Sequence, residues 1–316
     1  MIHVNEFSLI TQYFNSIPHH RHDVLFGIGD DAACVHVPSS MDLLVSTDTL
    51  VDNVHFLSEW DAYDIARRAV LVNVSDMAAM AAMPCWVSLA LTLPTFDESW
   101  LKRFSLGLSD SLRDYNIALI GGDTTRGPLT ITVTIHGLAP KGRAIRRNGA
   151  NVGDAIVVSG ALGAAAQAVA LFDEQGIDSH VRSTLMGKLL HPRPRVDLID
   201  LLRSHATAAI DISDGLSADL NHILDASHVG ATLELANIPV HPLVRQIQNA
   251  TAIEFALSGG DDYELCFTVP ANALHYFTDP GLGCYCVGVI DSELGLRSKT
   301  LAGDIVPLTA KGYSHF

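Results

Sequence analysis

Six short aspartate motifs are spread along the whole sequence, and several follow an apolar run and precede a helix or a turn. A single aspartate of this kind usually caps a helix or closes a turn. Carboxylates are also the ligands that hard divalent cations prefer, so six motifs of similar design favour a cation site built from distant segments. They are Gly29-Asp30-Asp31, Ser46-Thr47-Asp48, Val74-Ser75-Asp76, Gly121-Gly122-Asp123, Asp211-Ile212-Ser213-Asp214-Gly215 and Gly259-Gly260-Asp261-Asp262.

Asp76 is the most informative of these aspartates because it lies inside an otherwise apolar helix segment. An unpaired carboxylate is costly to bury there, and a metal ion would remove that cost. The acidic residues are also unevenly divided, with 27 Asp and 8 Glu. Glycine pairs such as Gly121-Gly122 let the backbone approach a ligand and offer N–H groups to phosphate oxygens.

Common phosphate-binding motifs are missing from the sequence. It contains no Gly-x-x-x-x-Gly-Lys-Ser/Thr loop, and Gly27 to Ala32 matches the dinucleotide fingerprint only loosely, with two aspartates where a pyrophosphate would bind. The net charge of −15 argues against a nucleic-acid partner. It is compatible with phosphate chemistry if Mg²⁺ supplies the positive charge.

The elements that position these motifs alternate between strands and helices in both halves of the chain, which predicts an α/β or α+β architecture in two domains, 1–139 and 150–316. The polar, basic connector 140–149 lies between them and offers Arg143, Arg146 and Arg147 to a nucleotide phosphate. The expected helices are 5–17, 61–83, 99–115, 180–190, 194–204 and 216–227, with others after Gly160 and from Pro242. The expected strands are 43–47, 86–93, 117–120, 129–138, 155–159, 208–212, 232–235, 264–269 and 285–290.

Other features of the sequence indicate a soluble, cytoplasmic protein. The five cysteines form no Cys-x-x-Cys pair, so neither a disulfide framework nor a zinc site is expected. The N-terminus lacks the basic and apolar regions of a signal peptide. The most apolar stretch, 77–93, is broken by Pro84 and is too short to span a bilayer comfortably.

Taken together, these motifs resemble the thiamine-monophosphate kinase family, which belongs to the superfamily of aminoimidazole ribonucleotide synthetase. The resemblance covers essentially the whole chain, because the pieces occur in the family's order. The pieces beyond the aspartate motifs themselves are Glu6-Phe7, Val54-His55-Phe56, Met77-Ala78-Ala79-Met80, Thr124-Thr125, Tyr263-Glu264-Leu265 and Gly312-Tyr313-Ser314-His315-Phe316.

The resemblance implies an aminoimidazole ribonucleotide synthetase-like fold, in which the N-terminal domain binds ATP and Mg²⁺ and dimerises by joining its sheet into a β-barrel. A layered α/β C-terminal domain would complete the site. The implied reaction is ATP- and Mg²⁺-dependent phosphorylation of thiamine monophosphate to thiamine diphosphate by a homodimer, with no nucleic-acid or membrane partner.

The resemblance also implies roles for individual residues, and Asp48, Asp76 and Asp214 would be catalytic. His55, Glu264 and a C-terminal aromatic, either Tyr313 or Phe316, would bind the thiamine phosphate. The implied Mg²⁺ ligands are Asp30, Ser46, Thr47, Asp48, Asp76, Asp123, Asp211 and Asp214. The implied ATP contacts are Gly121, Gly122, Arg147 and Ser213.

A carboxylate-rich site without an evident base suits this reaction, because the attacking phosphate oxygen is already anionic. The obstacle is repulsion between two anions, which bound Mg²⁺ would reduce. Two alternatives stay open: another ATP-dependent synthetase of the superfamily, or a non-catalytic regulator that binds Mg²⁺ and nucleotide without turnover.

Overall fold

The computed structural model describes residues 6–313, which divide into two compact units. The first unit contains residues up to 77 and residues 82–142. The second contains residues 78–81 and the chain from 143 onward. The division therefore falls between Gly142 and Arg143, inside the basic connector.

The first unit is built on a four-stranded sheet with helices and a two-stranded ribbon. The order in the sheet is β3-β6-β4-β5, with β4 and β5 parallel and the other pairs antiparallel. Its elements are α1 (Glu6–Tyr13), β1 (Val24–Phe26), β2 (Cys34–Val35), β3 (Met41–Val51), α2 (Ala62–Ala79), β4 (Met83–Leu93), α3 (Glu98–Asp114), β5 (Ala118–Arg126) and β6 (Thr130–Pro140).

Only one face of this sheet is fully buried. Along β6, Ile131, Val133 and Ile135 are buried, whereas Thr132 and Thr134 on the other face are partly exposed. This alternation is typical of an antiparallel sheet with a core on one side. Helix α3 has the matching pattern, with buried residues at helical spacing from Leu101 to Leu112 and a first turn that Asp97 caps.

Two strands of the first unit are longer than the sequence predicted. β3 continues past Thr47 to Val51 because it pairs with β6 along its whole length. β5 continues past Ile120 through Gly121-Gly122-Asp123 because it pairs with β4. The Ser-Thr-Asp and Gly-Gly-Asp motifs thus lie within strands, and the prediction that a strand ends at each was wrong.

The prediction that α2 extends to Met83 was also wrong. The helix ends at Ala79, Ala81 adopts a positive φ of 52°, and β4 already begins at Met83. The chain therefore reverses within three residues, before Pro84 rather than at it.

The second unit is built on a seven-stranded sheet of order β13-β12-β9-β11-β7-β10-β8, in which β9 and β12 alone pair in parallel within the described residues. Its strands are β7 (Ala155–Ser159), β8 (Ala208–Asp211), β9 (Gly230–Glu234), β10 (Leu265–Val269), β11 (Cys284–Asp291), β12 (Gly295–Lys299) and β13 (Ile305–Pro307). Its helices are α4 (Ala164–Ala170), α5 (Ser179–Leu190), α6 (Ile199–His205), α7 (Leu216–Ser227), α8 (Pro242–Gln248) and α9 (Ala252–Ser258).

The central strands of this sheet are covered on both faces. Every residue of β7, β8 and β10 is buried, as expected for strands between two layers. On one side, Val157 and Phe267 pack with Leu202 and Phe277 in a continuous apolar core. The sequence did not predict β1, β2, β12, β13 or α9, which are short and lack a strong hydrophobic period.

The residues 6–313 form an α/β fold of two units with mixed, open sheets, and neither sheet closes into a barrel within the chain. Over the same residues, none of the helices has the length and apolar character needed to cross a bilayer.

Candidate active site

A pair of carboxylates from β3 and α2 lies at the centre of the first unit's candidate site. Ser46 and Asp48 alternate with exposed neighbours along β3, so both point to the same face of the strand. The Ser46 hydroxyl donates to Asp76 Oδ2 at 2.6 Å. Burial and the neighbouring Asp76 raise the pKa of Asp48 to about 7. Two acids held this close repel each other once both are ionised, so the pair favours a proton or a cation between them.

Thr47 does not belong to this cluster through its side chain. It occupies the opposite face of β3, is exposed, and its hydroxyl lies 2.9 Å from that of Thr134. A role for Thr47 as a ligand would therefore have to use its main-chain oxygen.

A cleft of about 700 Å³ in the first unit brings together a second group of predicted residues. It is lined by β5 and, through Ile10 and Phe14, by α1 and the turn that follows this helix. The loop 27–33 also lines it, and there Asp30 accepts the Asp31 N–H at 3.1 Å. The predicted residues that line the cleft are Asp30, Gly121, Gly122 and Asp123.

Glycine is required at position 122. Its φ is +155°, and a Cβ there would lie 1.9 Å from the Leu89 carbonyl oxygen on β4. Gly121, by contrast, has open space where a Cβ would be. Gly122 thus permits the close approach of β5 to β4, and both glycines leave the backbone accessible at the cleft.

His55 follows β3 in a tight turn. The Val51 N–H donates to His55 Nδ1 at 3.0 Å, and Phe56 beside it is buried. Because Nδ1 accepts this hydrogen bond, the neutral ring carries its proton on Nε2.

In the second unit, the Asp-Ile-Ser-Asp-Gly motif follows β8 and is joined to the Gly-Gly-Asp-Asp-Tyr-Glu motif that precedes β10. The Asp261 N–H donates to the Ser213 carbonyl, and the Tyr263 N–H donates to that of Ile212, both at 2.8 Å. Gly260 permits this close packing, since a Cβ there would lie 2.5 Å from the Ser213 oxygen. These hydrogen bonds join the two motifs into one pair of turns. Ser213 and Asp214 lie in it, directly after Asp211 at the end of β8.

A buried acid holds this turn from behind. Asp219 in α7 is 2% exposed, and its Oδ2 accepts the N–H groups of Asp214 and Gly215, each at 3.0 Å. Burial raises the pKa of Asp219 to about 7, although these two donors oppose the shift.

Glu264 has a cation of its own within the second unit. Its Oε2 accepts from the Ser159 hydroxyl at 2.7 Å and lies 3.4 Å from Arg195, which is 4% exposed. Arg195 also forms a bidentate pair with Asp197 and donates to the Leu282 carbonyl at 2.7 Å. Burial raises the pKa of Glu264, and Ser159 and Arg195 act in the opposite direction. Gly160 leaves room for the carboxylate, because a Cβ there would lie 2.1 Å from Glu264 Oε1.

Two further predicted binding residues, Arg147 and Tyr313, are exposed. Arg147 is exposed in a short 3₁₀ turn, and its carbonyl accepts from Ser227 at 2.9 Å. Tyr313 is 52% exposed, and its N–H donates to the Asp214 carbonyl at 3.1 Å. Phe316 lies outside the described residues, so the choice between the two aromatics stays open.

Neither unit has a preassembled cage for a metal ion. Over residues 6–313, no three His, Cys, Asp or Glu side chains converge as a ligand set. Mg²⁺ seldom uses such a cage, because it keeps several waters and binds through one or two carboxylates together with substrate phosphates. The Asp48–Asp76 pair, with the Ser46 hydroxyl beside it, is a donor set that suits this mode of binding.

Sequence reasoning missed three groups that support these acids: Asp219, Arg195 and Ser159. Asp219 carried the same signal as Asp76, a carboxylate among apolar residues of a helix. Arg195 carried none, because its contact with Glu264 joins residues 69 positions apart.

Known protein families and individual proteins are similar to this chain in sequence. Residues 29–139 match the family model of the AIR synthase related protein N-terminal domain, and residues 151–299 match that of its C-terminal domain. The thiamine-monophosphate kinase of Escherichia coli K12 is 46% identical over 98% of both chains.

Solved structures are also similar to this chain. The thiamine-monophosphate kinase of Stenotrophomonas maltophilia K279a has a TM-score of 0.83 and 43% identity, covering 88% of this chain and 92% of that one. AaThiL complexed with AMPPCP and TMP has a TM-score of 0.80 and 30% identity, covering 89% of each chain.

Proposed function

We propose that this chain, which belongs to the thiamine-monophosphate kinase family, uses Mg²⁺ and ATP to phosphorylate thiamine monophosphate to thiamine diphosphate. The 46% identity with a curated thiamine-monophosphate kinase, over 98% of both chains, supports the assignment of this reaction. The observation that supports the use of Mg²⁺ is the Asp48–Asp76 pair, whose close carboxylates favour a cation. The two units would act as an ATP- and Mg²⁺-binding dimerisation domain and a C-terminal domain that completes the site.

We propose different roles for the acids of the two units. Asp48 and Asp76 supply negative charge on rigid elements, with Ser46 fixing the orientation of Asp76. The turn held by Asp219 presents Asp211 and Asp214 in the second unit. Bound Mg²⁺ would neutralise the phosphates that the two substrates bring together. The proposed further ligands are Asp30, Asp123, Ser46 and the Thr47 main-chain oxygen.

We assign residues to the two substrates by the chemical groups that these residues offer. AaThiL, a similar protein, has been solved with AMPPCP and TMP. We assign Gly121, Gly122, Arg147 and Ser213 to ATP, since glycine N–H groups and a guanidinium suit phosphate oxygens. His55, Glu264 and a C-terminal aromatic, Tyr313 or Phe316, are assigned to thiamine monophosphate, whose cationic ring suits an aromatic face.

The test is a coupled assay. The purified chain is incubated with ATP, Mg²⁺ and thiamine monophosphate, and thiamine diphosphate and ADP are quantified. We expect both products in equal amounts, and none when Mg²⁺ is chelated. ATP binding without either product would instead support the non-catalytic regulator.

We also propose that the chain forms a homodimer through the open face of the first unit's sheet. On β3, Leu43 and Val45 are 44% and 56% exposed, next to the exposed Thr47 and Thr49. This face carries exposed apolar side chains among threonines and includes an edge strand, which suits pairing with a second copy to complete a barrel. Sedimentation should give a dimer, and Val45→Lys should shift it toward monomer; a wild-type monomer would refute the assignment.

A further inference from the structure

The C-terminal segment, residues 311–313, lies directly against the turn that carries Asp211 and Asp214. The Lys311 main chain and the Ser217 hydroxyl exchange two hydrogen bonds, with Ser217 Oγ donating to the Lys311 carbonyl at 2.8 Å and accepting its N–H at 3.1 Å. Two residues on, the Tyr313 N–H donates to the Asp214 carbonyl at 3.1 Å. Three hydrogen bonds therefore tie this segment to the start of α7.

The packing at this contact is close enough to be specific. Ser217 is 1% exposed, so its hydroxyl depends on the Lys311 backbone for its partners. A Cβ on Gly312 would lie 2.8 Å from the Asp214 oxygen and 2.6 Å from the Ala218 Cβ. The segment thus lies flat on the turn because residue 312 has no side chain.

The turn is held from its other side as well. Asp219, two residues beyond Ser217, accepts the N–H groups of Asp214 and Gly215. Asp219 fixes the N–H side of the turn, and Tyr313 uses the Asp214 carbonyl. The stretch Asp214–Gly215 is therefore hydrogen-bonded both to α7 and to the C-terminal segment.

We infer that Ser217 is a positioning residue which clamps the C-terminal segment to the Asp211–Asp214 turn, so that the acceptor pocket and the metal-binding carboxylates are held as one piece. The inference rests on the proposed function for what the two ends bind. It makes Ser217 and Gly312 determinants of acceptor affinity, although neither is among the residues assigned to a substrate. Binding of thiamine monophosphate near the C-terminus and of Mg²⁺·ATP at the turn would then favour each other.

A double-mutant cycle tests the clamp. Its members are the full chain, Ser217→Ala, a chain ending at Ala310, and the two changes combined. We expect Ser217→Ala to raise the KM for thiamine monophosphate about tenfold, the effect of losing roughly two net hydrogen bonds. In the chain ending at Ala310 the same substitution should have no further effect, because its partner is gone. Additive effects, or an unchanged KM, would overturn the clamp.

Matched variants separate the clamp from general stability. Lys311→Ala keeps the main chain that Ser217 contacts and should leave the KM unchanged. Ser111→Ala removes another buried helix hydroxyl, in the first unit, and should also leave it unchanged. If Ser217→Ala fails to fold, Gly312→Ala is the second variant: its Cβ would clash with the Asp214 oxygen and the Ala218 Cβ, push the segment away from the turn and raise the KM in the same way.

A second measurement does not depend on the substrate. Hydrogen exchange at the Tyr313 amide should be slowed in the wild type, because Asp214 accepts this N–H, and faster in Ser217→Ala. Equal exchange rates would overturn the clamp even in an active kinase. Slow wild-type exchange that Ser217→Ala accelerates, in a protein that does not phosphorylate thiamine monophosphate, would uphold the clamp and refute the proposed function alone.

Discussion

Two groups of acids in this molecule face opposite electrostatic situations. In the first unit, Asp48 lies against Asp76, and burial together with this neighbouring acid raises the pKa of Asp48 to about 7. In the second unit, Glu264 lies against Arg195, which is itself paired with Asp197. In the first group two acids repel each other, whereas the second group contains a cation supplied by the chain.

This difference separates acids whose repulsion favours a metal ion from an acid whose position the chain itself fixes. A buried carboxylate with a permanent guanidinium partner has its charge largely balanced, and its geometry is fixed before any ligand arrives. Two carboxylates that lie against each other repel until a proton or a cation comes between them. Glu264 therefore owes its position to Arg195, and Asp48 and Asp76 are the stronger candidates for Mg²⁺.

The largest expected effect is that of Asp76→Asn on activity. The substitution keeps the shape of the side chain but removes a charge, so we expect kcat/KM to fall by at least about 100-fold. Folding should persist, because the change relieves repulsion with Asp48. Steady-state kinetics and circular dichroism measure the two effects.

Asp64→Asn is the matched control, because Asp64 lies in the first turn of the same helix. It should retain most of the activity. If Asp76→Asn instead unfolds the protein with loss of helix signal, Asp76 is a structural residue and the contrast between the two acid groups fails.

The second effect is on stability, at Arg195. Arg195→Met leaves the largely buried Glu264 carboxylate without its cation, so we expect the free energy of unfolding to fall by about 3 kcal/mol. Urea unfolding measures it. Arg193→Met is the control, since Arg193 is 75% exposed and 4.0 Å from the same Asp197, and its effect should stay within about 0.5 kcal/mol. Equal effects of the two substitutions would show that Glu264 needs no internal cation.

These two acid groups were not equally predictable from the sequence. Asp76 was identifiable because a carboxylate in an apolar helix is a local conflict that a single segment displays. The turn at Asp211 was identifiable because a buried strand leads directly into it. Both observations need only neighbouring residues.

What the sequence could not reveal depends on partners distant along the chain. β3 extends through Ser46-Thr47-Asp48 because β6, more than eighty residues later, pairs with all of it, and only this pairing separates Thr47 from its neighbours. The contact between Ser217 and Lys311 joins residues 94 positions apart. Neither has a local pattern, so the structure was needed to find them.

The remaining prediction is a pH dependence of stability in the protein stripped of divalent cations. An aspartate has an ordinary pKa of 3.8, whereas that of Asp48 in the folded chain is about 7. Between these values the folded state binds more protons than the unfolded state, so the free energy of unfolding should fall as pH rises from 3.8 to about 7 and then level off. Asp219 contributes in the same direction, so the diagnostic is the difference between wild type and Asp48→Asn, which should show a shallower fall.

Added Mg²⁺ should stabilise the wild type more at pH 7.5 than at pH 5, because ligand carboxylates must lose their protons to bind it. Identical pH profiles for the wild type and Asp48→Asn would mean that the Asp48–Asp76 pair is not strained without a cation, and the contrast with the Arg195-bound acids would then disappear.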